Sequence, residues 1–280
     1  MNSNESKPHD TLAGQLLDVA LKPEDAFNVP GESYGFANKR MAWETIPPLL
    51  ERGSPLRTSH LRDPVGPQLN FASESFMDEI AAALNVDPIE LRLRLIKDER
   101  DRDVIKAVAE RSGWANRPSP RKDQTGNTAT GRGMAYALRG GTRVAIVAEV
   151  DVDRSSGKIW ARKFTVAHDC GLIVNPDGLK HTIEGNVIQS ASRTLWEEVR
   201  FDRNAVTSVD WLTYPILDIT EAPEAIDIVL INRPEVAPSG AGEASTRPIA
   251  AAIANAIFDA TGVRIRRAPF TPDRVRQSMS

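Results

Sequence analysis

An α+β lobe, with a mixed or antiparallel sheet and helices packed on it, is the fold class that this 280-residue sequence predicts. Three observations carry the expectation. Period-two alternation through Val144, Ile146 and Ala148 continues into Glu149-Val150-Asp151-Val152-Asp153, turns at Ser155-Ser156-Gly157 and returns over Ile159 to Ala167. That pattern is a hairpin, not a crossover. Helical periodicity then alternates with a further strand, and strands that also form hairpins favour α+β over a doubly wound parallel sheet. Hydrophobic residues make up 41% and charged residues 26%, the balance of a globular chain with a sizeable core.

In chain order, residues 1–65 read as a proline-rich irregular segment, because Pro23, Pro30, Pro47, Pro48, Pro55 and Pro64 interrupt any long element. Residues 66–117 read as helical. Phe71, Phe76, Ile80, Ala83 and Leu84 recur at helical spacing from Asn70 to Leu84. Asp87 caps a second helix with Pro88 in its first turn, running through Leu91, Leu95 and Ile96. A third, Asp103 to Ser112, ends at Gly113. Glu74, Asp78 and Glu79 read as surface or first-turn charges, although Glu74 sits on the same face as the apolar Phe71.

Residues 118–280 read as the α+β lobe, opening with a polar connector from Pro118 to Gly131. After the hairpin, Asp177 to Val199 places Ile183, Val187, Ile188, Ala191, Leu195 and Val199 on one helix face. A strand over Ile226 to Ile231 leads through a Pro/Gly loop to a helix from Pro248 to Thr261, closed by Gly262. Arg264, Arg266 and Arg267 read as a solvated strand end.

Composition excludes several classes. A net charge of −3 with scattered basic residues gives no nucleic-acid face. The single Cys170 excludes an internal disulfide and any cysteine-rich metal cage, and four histidines without i, i+4 pairing give no protein-ligated metal site. No apolar run of about 18 residues predicts no membrane span. The polar stretch Met1 to Asp10 lacks a signal-peptide core, so a cytoplasmic protein is expected.

Three segments could carry chemistry. In Pro238-Ser239-Gly240-Ala241-Gly242-Glu243-Ala244-Ser245, two glycines permit close backbone approach to a ligand. Ser245 or Thr246 can cap the following helix, whose N-terminus would attract anions. Glu243 there is either a general base or merely a carboxylate favoured by the helix dipole, and spacing alone favours the second. In His168-Asp169-Cys170-Gly171, Cys170 is either a nucleophile with His168 as base or a small buried packing residue; residue types favour packing. Around the Gly-Pro turn of Leu61 to Gln68, Arg62 offers a donor fork for a phosphate or pterin edge, against a plain solvated turn.

Taken together the segments resemble the molybdopterin-binding large subunit of the xanthine dehydrogenase and aldehyde oxidase family, in its isoquinoline 1-oxidoreductase-like bacterial branch. The strings HDCGLIVNP (168–176), IEGNVIQ (183–189), GAGE (240–243) and AAIANAIFDATG (251–262) occur in that order there, with LRDPVGPQ and FASESFMDEIA upstream. The resemblance, from about Pro55 to Val275, implies a C-terminal lobe of a molybdenum-cofactor-binding subunit. It implies hydroxylation of an aldehyde or N-heterocycle with water as oxygen source. Glu243 matches the family's catalytic glutamate, the base for the attacking hydroxyl. Arg62, Glu184, Gly185, Gln189, Gly240, Ala241, Gly242, Ala244 and Ser245 match cofactor-binding positions. The metal is expected on the pterin dithiolene and on no side chain of this chain. Molybdopterin in its cytosine dinucleotide form is the expected cofactor. A [2Fe–2S] partner subunit and an N-terminal lobe of the same enzyme are the expected partners. Thr182 stands where the family usually has glutamine, and Ser190 where glycine is common. A truncated chain acting only as a binding or interaction domain is the alternative reading.

Overall fold

The computed structural model describes residues 16, 17, 33–40, 42 and 61–280, and divides the chain into two compact units, Met1–Pro64 and Val65–Ser280. Most of the proline-rich stretch, including Pro23, Pro30, Pro47, Pro48 and Pro55, lies outside the described residues. The second unit opens with three helices: α1 (Gly66–Leu84), α2 (Pro88–Leu95) and α3 (Glu99–Ser112).

Their boundaries follow from caps. Asp87 Oδ1 accepts the amides of Ile89 and Glu90 at 2.9 and 3.0 Å, while Oδ2 accepts the Trp114 indole at 2.8 Å and the Arg117 amide at 3.1 Å. One carboxylate therefore starts a helix and ties down the chain that leaves the next one. α3 begins four residues before the expected Asp103, because Asp98 caps it and its first turn is wholly polar. Gly113, at φ 62°, closes it in the left-handed conformation.

A four-stranded sheet follows in the order β1-β2-β3-β4: β1 (Thr128–Arg139), β2 (Thr142–Asp153), β3 (Ile159–Asp169) and β4 (Ala225–Leu230). The first three are antiparallel and β4 runs parallel to β3, so the sheet is mixed and the α+β class stands. Helices α4 (Pro176–Leu195) and α5 (Ile249–Thr261) share one continuous core with the sheet, including Val144, Ile146, Phe164, Val166, Ile183, Val187, Ile253 and Ile257. Helix α3 buries Val104, Ile105 and Val108 outside that cluster and crosses β2 and β3. A short helix, α6 (Pro272–Met279), ends the chain.

The end of the Pro118–Gly131 connector is in fact the start of β1. Gly131 and Gly133 sit there because α5 lies directly on the strand. A Cβ at Gly131 would come within 2.1 Å of the Ala256 carbonyl oxygen, and one at Gly133 within 2.2 Å of the Ala256 nitrogen. Small residues on both sides, with Ala252, Ala256 and Ala260 on the helix, let backbone meet backbone.

β1 is an edge strand, and its unpaired backbone groups are met by side chains instead of a further strand. Glu74 accepts the Tyr136 amide at 2.9 Å, Asn70 donates to the Tyr136 carbonyl at 2.9 Å, and Asn255 donates to the Met134 carbonyl at 3.0 Å. Arg92, fully buried, bonds Glu74 at 2.9 Å and Asp78 at 2.7 Å. Glu74 and Asp78 are thus core residues, which corrects their reading as surface charges. Only Glu79 lies at the surface among the three, paired with Arg266 at 2.8 and 3.0 Å. Arg264 is also no solvated residue. It bonds Asn255 at 2.7 Å, lies 3.6 Å over the Phe258 ring, and burial lowers its pKa to about 10. No strand passes through it.

Candidate functional site

The segment Ser239–Ser245 is where three elements meet. From below comes the end of β3: the Ser239 amide bonds the Cys170 carbonyl at 2.8 Å, and Leu172 bonds Val236 at 2.9 Å. Gly171, at φ 80°, is required here, since a Cβ would stand 2.5 Å from the Ala237 carbonyl oxygen. From one side comes the β1–β2 hairpin. Thr142 Oγ1 lies 2.6 Å from Ser239 Oγ and donates to the Gly240 carbonyl at 2.9 Å. From another side comes α4, whose buried Asn186 reaches the Ala241 carbonyl at 3.5 Å. The motifs HDCG, IEGNVIQ and GAGE, far apart in sequence, are neighbours in the fold.

Glu243 is half-buried on this loop and ion-paired with Arg139 from the end of β1. Gly240 and Gly242 are exposed, and a Cβ at either would meet nothing within 4 Å, so the space over the loop is open. Ala244 and Ser245 are buried in a 3₁₀ turn, and the Ser245 hydroxyl has no hydrogen-bond partner. Neither Ser245 nor Thr246 caps the next helix. Thr246 Oγ1 donates back to the Glu243 carbonyl at 2.7 Å, and α5 follows Pro248 without a side-chain cap. The 3₁₀ turn occupies the place where the cap was expected.

On α4, Glu184 and Gly185 point outward, with Glu184 3.0 Å from His181 Nδ1, whereas Gln189 is half-buried. The hydroxyl of Thr182 is spent on the Gly178 carbonyl at 2.8 Å within the helix, and that of Ser190 accepts Arg193 at 3.1 Å. Arg62, at φ 38°, belongs to the first unit. With Asp63 (56°) and Val65 (64°) it gives three non-glycine residues of left-handed conformation in four positions, the last β-branched. Such strain persists only where surroundings enforce it.

The electrostatics at the end of β3 are fixed by Asp169. Burial would raise its carboxyl, but hydrogen bonds from Arg100 and Arg233 and from the Gly171 amide bring it down to about 2. Its bonds are short, 2.5 Å to Arg100 and 2.6 Å to Arg233. Beside it, His168 is fully buried with neither ring nitrogen hydrogen-bonded, and burial lowers its pKa to about 4 despite the Asp169 charge. Burial, then the same carboxylate, raises the Cys170 thiol. A raised thiol beside an unprotonated, unbonded imidazole is no nucleophile–base pair, and Cys170 packs in the core. Among the described residues no group of three His, Cys, Asp or Glu side chains is placed to hold a metal ion.

A molybdopterin cofactor-binding domain model matches residues 77–223. The chain belongs to that family. It is similar to one of the subunits of nicotinate dehydrogenase from Pseudomonas putida, 41% identical over 94% of this chain and 23% of that protein. It is also similar to the beta subunit of isoquinoline 1-oxidoreductase from Brevundimonas diminuta, 34% identical over 73% of this chain and 26% of that one. The chain therefore spans about a quarter of the length of these relatives. Among solved structures, the aldehyde oxidoreductase of Desulfovibrio gigas superimposes with a TM-score of 0.66 at 18% identity, covering 79% of this chain and 41% of that one, which shows a shared fold.

Sequence reasoning overlooked three residues that hold the loop of this site: Arg139, Thr142 and Asn186. The first two had a signal. Gly140-Gly141 between two alternating runs is a hairpin turn, and it brings whatever flanks it to the sheet end. Asn186 lies inside the string IEGNVIQ, but a buried amide within a helix does not stand out from its neighbours there.

Proposed function

We propose that this chain contributes part of the cofactor cradle and the general base to a molybdenum hydroxylase that oxidises an aldehyde or an N-heterocycle. The names of the two relatives, a nicotinate and an isoquinoline enzyme, support the heterocyclic class. The residues present fit a pterin on two observations: open space above Gly240 and Gly242, and buried unpartnered acceptors at Ser245 Oγ and Asn186 Oδ1. Ser245, Asn186, Gln189 and the backbone from Gly240 to Ala244 would hold it, and the family resemblance adds Glu184 and Gly185. The cytosine dinucleotide form of the cofactor, the remaining lobe of the enzyme and a [2Fe–2S] subunit that accepts the electrons belong to the same proposal. When bound, the cofactor supplies two-electron oxidation of the substrate carbon, with oxygen drawn from water.

The observation that carries the reading is the placement of Glu243 on an open loop gathered by β3, α4 and the β1–β2 hairpin. Its carboxylate accepts the proton lost by water as the carbon–oxygen bond forms. A carboxylate can hold that proton and an amide cannot. General-base assistance contributes roughly 10²–10⁴ in rate. In the complete enzyme, Glu243→Gln should lower turnover by that order with cofactor content unchanged. Glu243→Asp, with the base about one methylene too far back, should retain a small fraction. Near-parental turnover of the Gln variant at full cofactor content would reduce Glu243 to a loop anchor.

Several exposed apolar side chains between Val199 and Ile219, set among polar residues, also suit a lobe of a larger enzyme. Trp211 is 76% exposed and Leu212 91%.

A further inference from the structure

We propose that Arg139 is the positioning residue of Glu243, and that the β1–β2 hairpin is the element that sets the height and aim of the Gly240–Glu243 loop. The inference rests on the reading of Glu243 as the base. Five contacts join the hairpin to the loop and to the turn just beyond it. Arg139 Nη2 pairs with Glu243 Oε2. Thr142 Oγ1 meets Ser239 Oγ and donates to the Gly240 carbonyl. Arg247, just beyond the loop, returns a bond from Nη1 to the Leu138 carbonyl at 2.9 Å. Gly141 presses against Ser239 so closely that a Cβ would lie 2.9 Å from the Ser239 Cβ.

The turn is built to allow this. Gly140 takes φ 59°, and Gly141 leaves no side chain between hairpin tip and loop. β1 itself is pinned by α5 against Gly131 and Gly133, so Arg139 projects from a strand that cannot shift. Gly240 and Gly242 are open on their outer side, and side chains of other elements, Thr142 and Asn186, bond the Gly240 and Ala241 carbonyls. A glutamate on such a loop has free rotation about its side-chain bonds unless something outside the loop holds the carboxylate. Arg139 is that hold. Arg and Glu are each about one-third exposed, and an ion pair this wet adds little stability. Its effect is on direction. A base must be held within a fraction of an ångström of the proton it takes, and the side chain that holds it matters as much as the base.

The test uses the cofactor-free chain, labelled with ¹³C and ¹⁵N, so that it reads the coupling without any turnover. Three-bond couplings report the Glu243 χ1 rotamer, and backbone relaxation reports the order of Gly240 and Gly242. The parent should show one rotamer. Arg139→Gln should average it over several, and Arg139→Lys, which restores the charge, should recover most of the parental value. Thr142→Val should instead lower the order parameters of Gly240 and Gly242, from about 0.85 toward 0.6, with less effect on the Glu243 side chain. If Arg139→Gln fails to fold, Glu243→Gln reads the same pair from the other side, and the Arg139 Nη2 protons, which donate to Glu243, should then exchange about tenfold faster. An Arg139→Gln variant with the parental rotamer, or Arg139 Nη2 protons indifferent to Glu243→Gln, would overturn the proposal. Either result leaves the base assignment standing, whereas near-parental turnover of Glu243→Gln would end that assignment and leave the coupling intact.

Discussion

Arg92 has no solvent exposure, and its guanidinium is divided between Glu74, Asp78 and three backbone carbonyls, those of Pro88, Glu74 and Met134. Two buried carboxylates share the one guanidinium of Arg92, and desolvation raises the Asp78 pKa despite Arg92 and Arg264 nearby. Removing the cation would strand both carboxylates. Arg92→Leu should therefore cost about 3–5 kcal/mol of unfolding free energy, measurable by urea denaturation. A loss under about 1 kcal/mol would mean that the carboxylates take up protons at no penalty. Nothing in sequence announced the network, because the partners sit 14 and 18 residues apart across a helix boundary. A carboxylate's default place is water.

His168 gives the pH dependence. Its ordinary pKa of 6.5 falls to about 4 in the fold. The unfolded chain therefore binds a proton first, and stability present above pH 6.5 is lost as pH falls toward 4. The window corresponds to about 3 kcal/mol at 1.36 kcal/mol per unit. Because neither ring nitrogen is bonded, His168→Leu should cost little at pH 7 and should flatten that slope between pH 6.5 and 4. Denaturation midpoints of parent and variant that fall in parallel across the window would refute this assignment. Asp169 contributes separately, between pH 3.8 and about 2.

At the scale of elements, strands and helices with clear periodicity and caps were legible: the β2–β3 hairpin, α2 from Asp87, α5 closed by Gly262. β1 was not. Glycines at 131 and 133 lower strand propensity and imitate a connector, yet they are what lets α5 lie on the sheet. Gly133→Val tests this packing. Forcing a branched side chain against the Ala256 backbone should destabilise the chain by about 1–3 kcal/mol or more, seen as a lowered thermal midpoint. A Val variant as stable as the parent would mean that helix and strand can separate freely. The site was legible as motifs in order, not as geometry. The GAGE loop could be named from its residues, but its supports come from a hairpin about 100 residues upstream and a helix about 55 residues upstream.

For the whole molecule, we propose that this chain forms one side of a molybdenum-cofactor site to which the remaining lobe of the enzyme contributes the rest. The chain spans about a quarter of the length of these relatives, and the loop that carries Glu243 is open. The most direct measurement is the molybdenum and pterin content of purified chain from a host that makes the cofactor, alone and in the complete enzyme. The account predicts far less than one molybdenum per chain alone and close to one in the complete enzyme. Stoichiometric molybdenum on the chain by itself, or none in the complete enzyme, would contradict it.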